Sequence, residues 1–172
     1  MLFVFVEGSE DEKFFKEVLS SCLGECKYIL YASLTDEKIK NFIKSIDSAS
    51  GWRYIFTADA DGKKIKDAKK YWISKGINLS CDKIHIIQYE VESWYYAGVS
   101  QDICKKLKLT SFEFNTDTLT KEQFIAKITQ NHRLSREATV RSDMLQNYSL
   151  DLATQRNTSL KLFMEAITKE PA

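Results

Sequence analysis

The chain has 172 residues, 44% hydrophobic and 28% charged, the size and balance of an ordinary globular domain with a core of its own. Its longest early apolar run, Met1 to Val6, is too short for a signal h-region or a membrane span, so no membrane association and a cytoplasmic location are expected. The net charge of +1 neither demands nor excludes a nucleic-acid partner. Its distribution is uneven, with acids gathered at Glu7, Glu10, Asp11 and Glu12 and lysines at Lys63, Lys64, Lys66, Lys69 and Lys70, and distribution is what sets local potential.

Met1 to Val6 reads as a strand buried on both faces, closed by Glu7-Gly8-Ser9. Ser9 can N-cap a helix whose third position is Glu12, a capping-box spacing, and Phe14, Phe15, Val18, Leu19 and Cys22 recur on one face. A second strand, Lys27 to Ala32, leads to Thr35 or Asp36 as a cap and then to Ile39, Phe42, Ile43 and Ile46 at helical spacing. After the turn residues Ser48 to Gly51, Trp52 to Thr57 reads as a third strand that delivers Asp59-Ala60-Asp61-Gly62 to its carboxyl end. Ile65, Ala68 and Trp72 mark a third helix, with Gly76 as its stop. Lys83 to Tyr89 is a fourth strand, and a helix runs from Val91 to about Leu107.

This alternation predicts an α/β fold with a mainly parallel four-stranded sheet flanked by helices. Thr120 to Asn131, Arg136 to Tyr148 and the stripe Leu160, Phe163, Met164 and Ile167 read as an appended helical segment. The expected organisation is a core over 1–107 and a C-terminal extension over 108–172 packed on the same domain. Cys22, Cys26, Cys81 and Cys104 form no C-x-x-C pair and have only His85 and His132 for company. That argues against zinc and for reduced thiols, with Cys22 and Cys104 packed on apolar helix faces.

In open α/β sheets ligands bind beyond the carboxyl ends of the strands, where this chain places Glu7 and the pair Asp59 and Asp61. Alternate residues of an extended segment point the same way, so Asp59 and Asp61 can grip one ion from one side. Hard oxygen ligands suit Mg²⁺ or Mn²⁺. Asp11, in the first helical turn, can complete the cluster or simply favour the helix terminus, as Glu10 and Glu12 do; Asp59 and Asp61 can also be turn-forming acids ahead of Gly62. Lys63, Lys64 and Lys66 follow the pair directly and can meet phosphate, as can Arg133 and Arg136 with Arg141 in the tail; a solvated helix face explains lysines equally well. Trp94, Tyr95 and Tyr96 could stack bases, but a helix following a buried strand more often turns such residues inward.

The stretches F-V-E-G-S-E-D-E-K-F-F (Phe5 to Phe15), Y-I-F-T-A-D-A-D-G (Tyr54 to Gly62) and Q-Y-E-V-E-S-W-Y-Y-A (Gln88 to Ala97) resemble the successive motifs of TOPRIM-domain proteins. They are most similar to the OLD-type (overcoming-lysogenisation-defect) nucleases and to small stand-alone TOPRIM-like proteins of bacterial defence. The resemblance covers about the first 100 residues, extends faintly to Thr158-Ser159-Leu160-Lys161, and implies a TOPRIM-like, Rossmannoid sheet. It places the family's acids on Glu7, Asp11, Asp59 and Asp61, with a later acid on Glu90 or Glu92, Glu92 preferred.

The resemblance implies Mg²⁺- or Mn²⁺-dependent cleavage of DNA or RNA, with Glu7, Asp59 and Asp61 catalytic, Glu7 serving as ligand or as general acid/base. No G-x-x-x-x-G-K-[ST] motif is present. The alternative is therefore a metal-binding TOPRIM-fold subunit that works only with a partner such as a separate ATPase. A haloacid-dehalogenase phosphatase would carry its D-x-D on the first strand with Thr or Val behind it, whereas here the pair ends the third and is followed by Gly62.

Overall fold

A computed structural model describes residues 1–109, 114–129 and 137–169 and divides the chain into two compact units, Met1–Ile87 and Gln88–Ala172. The division falls after the fourth strand, not near residue 107, because the helices that follow that strand build a core with the C-terminal helices.

The first unit is a four-stranded, fully parallel sheet in the order β2-β1-β3-β4. Its strands are β1 (Leu2–Val6), β2 (Cys26–Leu30), β3 (Arg53–Asp59) and β4 (Ile84–Ile87). Every residue of β1 is buried, as its unbroken apolar run requires of a central parallel strand. Phe3, Phe5, Tyr54, Phe56, Ile84 and Ile86 share one sheet face and one core with Ile39, Ile43, Ile46 and Ala68. These last come from α3 (Asp36–Ser48) and α4 (Ile65–Ser74). Thr35 caps α3, its Oγ1 accepting from the Lys38 N–H at 3.3 Å. On β1, Val4 and Val6 alternate to the other face and are sealed from solvent, as are Phe14, Phe15 and Leu19.

The first helical stretch departs from its expected register. Its N-cap is Gly8, and the third-position carboxylate that reaches back is Asp11, not Glu12, accepting from the Gly8 N–H at 3.2 Å. After α1 (Ser9–Phe14) a π-helical turn (Phe15–Leu19) intervenes before α2 (Ser20–Leu23). A π turn inserts an extra residue and rotates the next turn of helix about its axis, so Leu19 and Leu23 are buried while Cys22 is exposed. All four thiols are free; Cys81 is exposed and Cys104 buried.

The second unit contains α5 (Val91–Ala97), α6 (Gln101–Lys106), α7 (Lys121–Thr129), α8 (Glu137–Gln146), α9 (Leu150–Arg156) and α10 (Thr158–Lys169). The single helix expected from Val91 to Leu107 is broken at Gly98. There the Tyr148 ring occupies the space a Cβ would need, and the Arg156 guanidinium collects the carbonyls of Tyr96, Ala97 and Val99 at 3.2, 2.7 and 2.9 Å. Tyr96 and Ala97 close α5, where carbonyls lack the bonds of a continuing helix. Ser100 then caps α6 through the Ile103 N–H. Trp94, Tyr95 and Tyr96 pack inward, Trp94 on Phe163 at 5.5 Å and Tyr95 on Phe124 at 6.2 Å, which fits core packing, not base stacking. Among the described residues no helix is long and apolar enough to cross a membrane.

Candidate functional site

The chain leaves β1 toward β2 on one side and reaches β3 on the other, so the topological switch point lies between the carboxyl ends of β1 and β3. Glu7 is the first residue beyond β1 and Asp59 the last of β3. Both line a cleft of about 260 Å³ together with Asp61, Tyr31, Asp36, Lys63, Tyr71, Trp72 and Lys75. Glu7 and Asp61 are exposed and Asp59 is half-buried.

The route by which Asp61 reaches this cleft differs from the expected one. Asp61 and Gly62 both take positive φ, 49° and 75°, and the Lys63 N–H donates to the Ala60 carbonyl at 2.9 Å. Two successive left-handed residues inside such a bond make a turn of the I′ kind. The D-x-D pair is therefore one strand-end acid and one turn acid, not two teeth of an extended comb. Gly62, which tolerates this conformation without penalty, is the sequence signal for it.

Asp11 does not line the cleft. It is 7% exposed, one of its oxygens takes the Gly8 N–H, and its charge reaches the Tyr31 phenol of the cleft. Lys63 lines the cleft, with its ammonium over the Tyr71 ring at 5.2 Å. Lys64 precedes the first turn of α4 and Lys66 lies in it; both are exposed and neither lines the cleft. Arg133 and Arg136 lie outside the described residues.

Glu92 belongs to the second unit, where it is 2% exposed. Its Oε1 meets Arg141 at 3.4 Å and the Lys121 ammonium at 3.9 Å. The Arg141 guanidinium also pairs with Glu137 and lies over the Phe124 ring at 4.6 Å. Glu90, the other candidate for that position, accepts from the Lys121 N–H at 2.6 Å. Burial moves its carboxyl above the usual range, and the bond from Lys121 opposes this. Ser159, in the segment that faintly resembles the stand-alone group, is buried, accepting from Trp94 Nε1 at 2.8 Å and donating to Asn157 at 2.8 Å.

Several site residues went unmarked in the sequence. Lys75 ion-pairs with Asp36 at 3.1 Å and lies over Trp72 at 4.6 Å, forming with Lys63 and Tyr71 a cationic wall. Tyr31, which reads as plain core, stands directly beyond β2: Val6 pairs with Leu30 in register, so the next residues along, Glu7 and Tyr31, are neighbours. Aligning the ends of the two β-α units would have found it. Its phenol is pushed far above the ordinary tyrosine range, first by burial and then by the charges of Glu7, Asp59 and Asp11.

The donor set of the cleft is oxygen only, which fits Mg²⁺ or Mn²⁺ in kind. Among the described residues, however, no three His, Cys, Asp or Glu side chains are gathered so as to hold a metal ion by themselves. Mg²⁺ does not require that, since it commonly keeps several waters and takes one or two carboxylates plus substrate phosphate. Comparison with known proteins found no matching family model, no matching curated protein and no matching solved structure.

Proposed function

We propose that this chain is a Mg²⁺- or Mn²⁺-dependent nuclease of the TOPRIM type, cleaving phosphodiester bonds of DNA or RNA in the cytoplasm. The observation that carries the reading is the meeting of Glu7, Asp59 and Asp61 in one cleft at the β1/β3 switch point, with Lys63 and Lys75 also lining it. One or two of these carboxylates, with waters and substrate phosphate, would hold the ion. Bound there, a divalent cation supplies charge for the scissile phosphate and a water of lowered pKa. Glu7 would serve as ligand or as general acid/base, and the lysines would offset phosphate charge. The resemblance of Phe5 to Phe15 and Tyr54 to Gly62 to TOPRIM motifs supports the same assignment.

The test is incubation of the purified protein with plasmid, single-stranded DNA and RNA in Mg²⁺, Mn²⁺ or EDTA. Cleavage is expected with metal, absent in EDTA and lost in Asp59→Ala. A second reading, a metal-binding subunit active only beside a partner such as a separate ATPase, is favoured by the incomplete gathering of the acids. Metal binding without cleavage until a partner is added selects it. Cleavage that persists in EDTA overturns both.

A further inference from the structure

Resting on the phosphodiester reading of the cleft, we propose that Tyr71 is a substrate-binding residue whose ring stacks on an unpaired nucleobase, so that the substrate is a single-stranded nucleic acid. Of the large hydrophobic side chains exposed among the described residues, Tyr71, at 49%, is the one that lines the cleft. A single exposed aromatic needs no explanation by itself. This one is attended by two cations, the Lys63 ammonium over its ring at 5.2 Å and that of Lys75 at 5.3 Å, and it shares the cleft with Asp59 and Asp61.

The helix sets its position. Ala68, Tyr71 and Trp72 recur at helical spacing on one side of α4, and Lys75 at the C-cap continues the row. Ala68 is buried, and Trp72 is seated against Phe56 at 4.9 Å and edge-on to Tyr31 at 5.3 Å. Tyr71 meets Trp72 edge-on at 5.7 Å, so the exposed ring rests on a packed one, a rigid element of the kind that binding groups need. Single strands are bound by aromatic rings that take the bases beside cations that take the backbone, and this wall of the cleft supplies both. An ammonium over an exposed ring is held weakly, and phosphate is its stronger partner. As the backbone draws the lysines, the ring face they leave is open to a base. In a duplex the base faces are already stacked on one another, and the ring would meet only sugar and phosphate. An unpaired base next to the phosphate at the ion is therefore the group that matches Tyr71.

The experiment follows fluorescence anisotropy of three labelled probes of equal length in the presence of Ca²⁺: oligothymidine, the same strand with abasic sites in place of its bases, and a duplex. Wild type should bind oligothymidine about tenfold more tightly than the abasic strand, which carries the same phosphates, the worth of one stacked base. Tyr71→Ala should lose that preference and keep its affinity for the abasic strand and the duplex. Tyr71→Phe should stay within about twofold of wild type, because the ring face and not the hydroxyl makes the contact. Equal binding of oligothymidine and the abasic strand by wild type overturns the proposal, and that comparison needs no variant to fold. A base preference that survives Tyr71→Ala overturns it too, as does a loss shared equally by all three probes, since Tyr71 would then only position the lysines. So does a wild type that binds none of them. Base-dependent binding through Tyr71 with no cleavage in Mg²⁺ or Mn²⁺ sustains this proposal and sinks the nuclease reading; cleavage of single strands with an unchanged KM in Tyr71→Ala does the reverse.

Discussion

Glu92 carries a charge in a place where charge is expensive. It is 2% exposed, and its Oε1 faces Arg141 at 3.4 Å, with Lys121 more distant at 3.9 Å. An ion pair of this kind contributes little net stability over an apolar pair of the same shape, but removing one partner strands the other. Arg141→Ala is therefore expected to lower stability by about 3–5 kcal/mol in urea unfolding, while the double change Glu92→Gln with Arg141→Met costs far less. The same logic separates structure from chemistry. Because Arg141 and Lys121 claim this carboxylate, Glu92→Gln should leave Mn²⁺ affinity where it was, and a large loss of that affinity would return Glu92 to the metal site.

At the scale of elements, caps decide where helices begin, and their worth depends on what else they hold. Thr35 makes one bond of 3.3 Å, to Lys38, at an exposed site. Asn157 accepts from the Leu160 N–H at 3.0 Å and from Ser159 Oγ at 2.8 Å, and donates to Ser93 and Thr116 at 3.3 and 3.1 Å, all buried. Thr35→Ala should cost about 1 kcal/mol, the ordinary worth of a cap, and Asn157→Ala about 2–3 kcal/mol because it also leaves buried hydroxyls unsatisfied. Equal losses in denaturant titrations would show that the buried network adds nothing. The same contrast explains what the chain discloses. Thr35, the apolar run of β1 and the stripe Ile39, Ile43 and Ile46 are local signals, and the β-α alternation of the first unit is legible from them. The break at Gly98 is set by a ring at Tyr148 and a guanidinium at Arg156, both far along the chain, the second 59 residues from the carbonyl of Ala97 that it meets, and no window centred on Val91 to Leu107 contains either. The π-helical turn at Phe15–Leu19 is hidden for a similar reason, since both registers of that stretch present apolar residues. Within the site, Glu7 and Asp59 were legible because they end apolar strands. Tyr31 was not, because its ring satisfies the core pattern and only its pairing beyond β2, beside Glu7, brings it to the cleft.

At the scale of the molecule, a chain of net charge +1 concentrates Glu7, Asp36, Asp59 and Asp61 against only Lys63 and Lys75 on the lining of one cleft. Like charges held together by a fold oppose it, and whatever neutralises them stabilises it. A divalent cation that binds the folded cleft and not the unfolded chain stabilises by about 2.7 kcal/mol at a hundredfold excess over its dissociation constant. For a protein of this length each kcal/mol moves the melting temperature by roughly 2–4 °C, so saturating Mg²⁺ or Mn²⁺ should raise it by roughly 5–10 °C, and EDTA should reverse the rise. Asp59→Asn removes one charge from the crowd and one ligand from the ion. The metal-free variant should therefore melt no lower than the metal-free wild type, and the rise with Mn²⁺ should shrink to a small fraction. Sodium chloride at matched ionic strength screens exposed charges without coordinating, and only a minor rise is expected from it. If sodium reproduces the whole rise, or if Asp59→Asn retains it, the cleft answers to ionic strength and not to a bound cation, and Asp59 is a strand-end residue that happens to be acidic.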